Sequence, residues 1–207
     1  DEVRRFLDEQ LTEDLREAGR KTGGVFADFG AGVRWHKVLA KKGWSAPAWP
    51  AEHGGTGWSA TQRYIFSREC TAVDAPRIFA MGLRMVGPVI MKYGTPEQKA
   101  KYLPGIVSGD IVFCQGYSEP GSGSDAAGLK TRAVKDGGDY VLNGAKQFIS
   151  GAGVSDVYIV MSRTGQDGPK GISTFIVRKD DKGVSFGANE KKMGWNSQPT
   201  AAVFFDN

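Results

Sequence analysis

The stretch Thr95-Pro96-Glu97-Gln98-Lys99-Ala100-Lys101-Tyr102-Leu103-Pro104-Gly105-Ile106-Val107-Ser108-Gly109-Asp110-Ile111-Val112-Phe113-Cys114-Gln115-Gly116 holds the point at which the chain changes its period. Thr95 as N-cap, Pro96 at the first helical position and Gln98 three residues after the cap are helix start signals. That helix is expected to end by Leu103, because Pro104-Gly105 breaks it and a short turn then runs to Gly109. Beyond Gly109 the three- and four-residue spacing gives way to short runs rich in β-branched and aromatic residues, beginning with Ile111–Cys114. The expected architecture is therefore α+β, an all-α domain over 1–108 followed by an antiparallel, β-barrel-like domain over 109–207.

Upstream, Val3, Phe6, Leu7, Leu11, Leu15 and Ala18 form one apolar stripe of a first helix. A second helix is expected over Ala31 to Lys42. The segment Gly43 to Trp58, with its prolines, glycines and three tryptophans, cannot be regular helix and reads as an ordered, packed loop. Ser59 with Gln62 starts a helix through Ile65, Phe66 and Cys70, and Met81 to Tyr93 supplies another. Downstream, strand-like runs fall at Leu129–Val134, Tyr140–Leu142, Gln147–Ile149, Val157–Met161, Ile172–Val177 and Ala202–Phe205. Between them Asp136-Gly137-Gly138-Asp139, Gly165-Gln166-Asp167-Gly168 and Asp180-Asp181-Lys182-Gly183 carry hairpin-turn chemistry.

Composition narrows the function classes. Of 207 residues, 40% are hydrophobic and 24% charged, ordinary globular usage, whereas 29 glycines are roughly twice the usual share. The net charge of +4, with both signs mixed along the chain, weakly favours anionic ligands and does not point to nucleic acid. No stretch approaches the length of a membrane span, so no membrane insertion is expected. Cys70 and Cys114 are expected as reduced, packed thiols, which suits an intracellular compartment. His36 and His53 lack partners at metal spacing, and the glycine pairs do not complete a dinucleotide fingerprint.

The chemistry concentrates in Gln115-Gly116-Tyr117-Ser118-Glu119-Pro120-Gly121-Ser122-Gly123-Ser124-Asp125. Pro120 fixes its own φ, while Gly121 and Gly123 let a ligand approach bare N–H groups, and Ser118, Ser122 and Ser124 add hydroxyls. Such a loop suits a pyrophosphate or the polar edge of a flat ring. On composition alone, a long turn with Ser and Gly chosen for geometry is an equal alternative. Glu119 reads as a cap for neighbouring amides rather than a catalytic group.

The order of residues decides between these. Ser118 to Asp125 resembles the Thr-Glu-Pro-Gly-x-Gly-Ser-Asp signature of the acyl-CoA dehydrogenase family. Asn143-Gly144-Ala145-Lys146-Gln147-Phe148-Ile149-Ser150 is similar to that family's Asn-Gly-x-Lys-x-Trp-Ile-Thr segment. Lys191 to Thr200 resembles its Lys-x-Gly-x-x-x-Ser-x-Thr region, in the form of the isobutyryl-CoA branch. Pro50 to Gly57 and Gly94 to Lys99 resemble two segments of its helical domain, and the Trp44–Trp49 and Arg84–Pro88 stretches are similar to actinobacterial sterol and acyl-CoA dehydrogenases.

The resemblance implies an N-terminal helical domain and a middle β domain that binds FAD and acyl-CoA. It implies that Gln115, Gly116, Tyr117, Ser118, Gly123 and Ser124 line the FAD ring and phosphates, with Ser124 also meeting the acyl-CoA, and that Phe148, Ile149 and Ser150 flank the ring. Ser118 stands for Thr, and Phe148 keeps an aromatic face without the indole N–H of the family's Trp. The implied reaction is α,β-dehydrogenation of an acyl-CoA to a 2,3-enoyl-CoA, with electrons passed to an electron-transfer flavoprotein. The implied assembly is a homo- or hetero-tetramer in a bacterial cytoplasm or, alternatively, a mitochondrial matrix. The family's catalytic carboxylate belongs to a C-terminal helical domain that these residues do not include, so no catalytic base is assigned here. A non-catalytic partner subunit or acyl-CoA-binding module is the alternative.

Overall fold

A computed structural model describes all of residues 1–207. The chain divides into two compact units, Asp1–Ile111 with Lys192–Gln198, and Val112–Lys191 with Pro199–Asn207. A linear division at 108/109 does not provide for the second visit of the chain to the helical unit. Locally that visit is anchored by Ser197, whose hydroxyl donates to the Phe26 carbonyl at 2.9 Å.

The helical unit contains α1 (Glu2–Gln10), α2 (Glu13–Arg20), α3 (Phe29–Lys42), α4 (Ala60–Ala72), α5 (Gly87–Tyr93) and α6 (Pro96–Ser108). The first apolar stripe is carried by two helices, not one. Leu11 takes extended dihedrals after α1, and Thr12 is the N-cap of α2, yet Phe6, Leu7, Leu11 and Leu15 all remain in the same core. Both expected capping boxes are present, at Ser59/Gln62 and Thr95/Gln98, each satisfying two backbone donors reciprocally. In place of one regular helix from Met81 to Tyr93, a π-helical turn over Gly82–Val86 leads into α5.

The expected end of α6 at Leu103 is overturned: the helix continues through Pro104 to Ser108 and stops at Gly109, which has φ +75°. Pro104 removes one donor at a cost of about 3 kcal/mol. Pro104 and Ala100, whose carbonyl loses that donor, are both exposed, so water can serve the freed group. On the other face, burial of Tyr102, Leu103 and Ile106 contributes about 1.5–3 kcal/mol per side chain. Packing outweighs the local break.

Gly43 to Trp58 is the ordered loop the sequence implies. Trp44 and Trp49 are buried, with Trp44 meeting Phe6 at 4.8 Å and Trp58 at 5.3 Å between ring centroids. The Trp49 indole donates to the Leu83 carbonyl at 2.6 Å, tying the loop to the π-helical turn. His36 lies buried against the same unit, with Nε2 3.1 Å from the Val107 carbonyl.

The second unit is built on a seven-stranded sheet: β1 (Phe113–Gly116), β2 (Arg132–Asp136), β3 (Asp139–Ser150), β4 (Val157–Arg163), β5 (Ile172–Arg178), β6 (Val184–Phe186) and β7 (Thr200–Asp206). The order is β1-β4-β2-β3-β7-β6, with β5 on β4. Pairing is antiparallel for β2·β3, β3·β7, β4·β5 and β6·β7, but β1 and β2 both run parallel to β4. The two short runs at 140–142 and 147–149 are parts of the single long strand β3. The turn at Asp180–Gly183 does not close a hairpin, since β5 pairs with β4 and β6 with β7. Strand β6, three residues long, gives no periodic signal in the sequence.

Candidate functional site

Cys114 shows why β1 is fixed. Phe113, Cys114, Val157, Tyr158, Ile159 and Val160 are buried along the parallel β1·β4 pair, which sets the sheet end from which Gln115 and Gly116 lead into the serine- and glycine-rich loop. Both cysteines are free, and burial pushes each thiol up to about 12, so they are inert packing groups.

The loop starts as a tight turn. Glu119 N–H donates to the Ser122 carbonyl at 2.8 Å and Ser122 N–H returns a bond to Glu119 at 3.1 Å, so Pro120 and Gly121 form its tip. The buried Ser122 hydroxyl donates to the Asp125 carbonyl at 2.5 Å and is consumed internally. Gly123 and Ser124 follow on an exposed limb. A Cβ placed on Gly121 or Gly123 meets no atom of the chain within 4 Å, and neither residue has a positive φ. Their own chain therefore does not demand glycine at these positions. The hydroxyls of Ser118 and Ser124 have no partner within the chain.

Strand β3 is brought against this loop. Gln147 N–H donates to the Ser118 carbonyl at 2.8 Å. Between Lys146, opposite Val203, and Ile149, opposite Ala201, β3 carries one residue more than β7, a β-bulge. Phe148 sits in that bulge at φ +57° with its ring 64% exposed, while Ile149 is buried. A phenylalanine in the left-handed region is strained, and such strain persists only where the surroundings impose it. Phe148 is therefore not part of the core. Ser150, half-buried, pairs with Thr200 on β7.

The structure thus brings the end of β1 and the Tyr117–Ser118 start of the loop beside the β3 segment that carries Phe148, Ile149 and Ser150. Gly123 and Ser124 extend from the same loop beyond the turn and are not bonded to β3. Sequence reasoning gave Lys146 no role, although it is wholly buried and forms a 2.7 Å ion pair with Glu119. The available signal was a lone lysine within a strand-like segment, since a charge buried there needs a partner. Glu119 also accepts from the amides of Lys130 at 2.6 Å and Thr131 at 3.0 Å, the capping role expected of it. Burial pushes its carboxyl up, but Lys146, Thr131 and the two amides outweigh that and hold it below the usual carboxylate range. It is a poor proton acceptor.

Comparison with known proteins places the chain. Residues 1–110 match the acyl-CoA dehydrogenase N-terminal domain and residues 114–207 the acyl-CoA dehydrogenase middle domain. The chain belongs to the acyl-CoA dehydrogenase family. Among relatives, the mitochondrial isobutyryl-CoA dehydrogenase of Dictyostelium discoideum is 47% identical over 156 residues, 74% of this chain and 38% of that protein. The acyl-CoA dehydrogenase FadE26 of Mycobacterium tuberculosis is 39% identical over 193 residues, covering 89% of this chain and 47% of its own length. The solved steroid ACAD Tcur3481-Tcur3483 superposes with a TM-score of 0.82 at 39% identity, over 99% of this chain and 52% of that one. The chain therefore spans about half or less of the length of these relatives. No helix is long and apolar enough to cross a membrane.

Proposed function

We propose that these residues are the FAD- and acyl-CoA-binding portion of an acyl-CoA dehydrogenase, acting in the conversion of an acyl-CoA thioester to its 2,3-enoyl-CoA. The observation that carries this reading is the strained, exposed Phe148 beside a loop whose glycines face open space and whose Ser118 and Ser124 hydroxyls are unpartnered. Membership of the family and similarity to the isobutyryl-CoA and steroid enzymes support it.

The residues present fit FAD. Backbone left bare by Gly121 and Gly123 admits a close, polyanionic ligand, the serines offer neutral donors, and the Phe148 ring offers a flat apolar face. FAD, when bound, supplies the two-electron acceptor for the β-hydrogen that leaves as hydride. Gln115 to Ser118, with Phe148, Ile149 and Ser150, would hold the ring and exclude water from it, Ser118 and Ser150 through their hydroxyls. Gly123 and Ser124 would hold the phosphates, and Ser124 would also meet the acyl-CoA. None of the 207 residues is assigned the removal of the α-proton. Glu119 is held below the usual carboxylate range by Lys146 and the two amides it accepts from. Electron-transfer flavoprotein is the proposed acceptor of the electrons, and a homo- or hetero-tetramer the proposed assembly.

The test compares the 207-residue chain with the polypeptide expressed from its own coding sequence through to the stop codon. Each is assayed with isobutyryl-CoA and a steroid side-chain CoA, using an artificial electron acceptor. The reading expects visible flavin absorption and turnover in the latter, and no measurable turnover from the 207 residues alone. Turnover by the 207-residue chain contradicts the statement that it holds no base.

A further inference from the structure

Besides the Gln147–Ser118 backbone bond, two segments of the candidate site are joined by a buried ion pair. Lys146 lies on β3 two residues before Phe148, and Glu119 directly follows Ser118. The Lys146 ammonium donates to Glu119 Oε1 at 2.7 Å and to the Tyr117 carbonyl at 3.2 Å. Glu119 in turn gathers the amides of Lys130 and Thr131, at the far end of the loop. Two side chains thus connect the beginning of the loop, its end and the strand that carries the bulge.

The surroundings are shaped to admit them. A Cβ on Gly116 would stand 3.3 Å from Lys146 Cγ, tighter than ordinary contact, so glycine leaves room for the lysine stem. At Gly144, with φ +146°, a Cβ would come within 2.6–2.9 Å of Thr131, so glycine there lets β3 lie close against the far end of the loop. A buried ion pair is a poor device for stability, because isosteric apolar replacements are often neutral or stabilising. Its distinctive property is direction: charge-assisted bonds fix where their partners sit.

We infer that the Lys146–Glu119 pair is a positioning clamp, setting the spacing between the Tyr117–Ser124 loop and the Phe148 bulge and so pre-forming the cradle. The inference rests on the reading of this cradle as the flavin site. Lys146 and Glu119 are positioning residues: they act on a ligand only through Ser118 and Phe148.

The experiment uses the polypeptide expressed to its own stop codon, with Lys146→Met and Glu119→Gln combined so that neither charge is left buried alone. Three quantities are measured: melting temperature, amide hydrogen exchange and FAD affinity. The clamp predicts a folded variant whose Lys130, Thr131 and Gln147 amides exchange at least about tenfold faster, with the β4·β5 ladder unchanged. It also predicts FAD affinity lower by about tenfold or more at a near-wild-type melting temperature. Wild-type exchange at those three amides in the folded variant overturns the clamp, as does unaltered FAD affinity. Should this double variant fail to fold, Lys146→Leu combined with Glu119→Gln, which also leaves neither charge buried alone, is read by the same exchange experiment. If wild-type protein binds no FAD, the site reading fails, while the exchange result still decides the clamp.

Discussion

Two glycine-rich loops of this chain look alike in composition and differ in what surrounds them. In the helical unit's loop, a Cβ on Gly55 would fall inside the van der Waals shell of the Trp49 carbonyl, and one on nearby Gly87 would collide with the Trp49 ring. In the loop of the β unit, Cβ atoms on Gly121 and Gly123 would meet nothing. Glycine in the first is required by the protein's own packing. In the second nothing in the chain itself requires it, as the proposed binding surface would have it.

The largest expected effect comes from filling the crowded loop. Gly55→Ala forces backbone against backbone and should cost at least about 3 kcal/mol in chemical denaturation, with no specific effect on flavin in protein that still folds. Next is Trp49→Phe, which leaves the buried Leu83 carbonyl without its indole donor and should cost about 1–3 kcal/mol. Gly121→Ala breaks the symmetry the other way: stability within about 0.5 kcal/mol of wild type, but weaker FAD binding in a flavin titration. An equal loss of stability from Gly55→Ala and Gly121→Ala would remove the distinction between the loops.

The smallest effect is on pH. Because the folded-state carboxyl of Glu119 lies below its ordinary value, its contribution is present above the ordinary carboxylate range. It is lost as pH falls through the lowered value. Exchange of the Lys130 and Thr131 amides should therefore stay slow at neutral pH and lose part of its protection only in acid, a dependence that Glu119→Gln abolishes.

Much of the fold is legible in the sequence. The capping boxes at Ser59 and Thr95, the change of period after Gly109 and the tryptophan-rich loop follow from local chemistry, and the structure has all of them. What escaped was non-local. α6 runs past Pro104 because Leu103 and Ile106 bury their side chains, the parallel β1·β4 pair depends on residues far apart in sequence, and the 192–198 segment returns to the helical unit through Ser197. For the candidate site, the loop and the 148–150 segment are proposed from the order of residues. The bulge at Phe148 was not, since one extra residue on β3 is defined only by its register with β7. Lys146 escaped for a related reason, because its partner lies 27 positions away.

The central claim is that one cradle, built from the 115–124 loop and the Phe148 bulge, receives the flavin. Its most direct test is the footprint of added FAD in amide hydrogen exchange of the polypeptide expressed to its own stop codon and stripped of any bound flavin. The account predicts slowed exchange at Gln115–Ser124 and Phe148–Ser150, with the α3 and α6 helices unaffected. No footprint, or one confined to the helical unit, contradicts it.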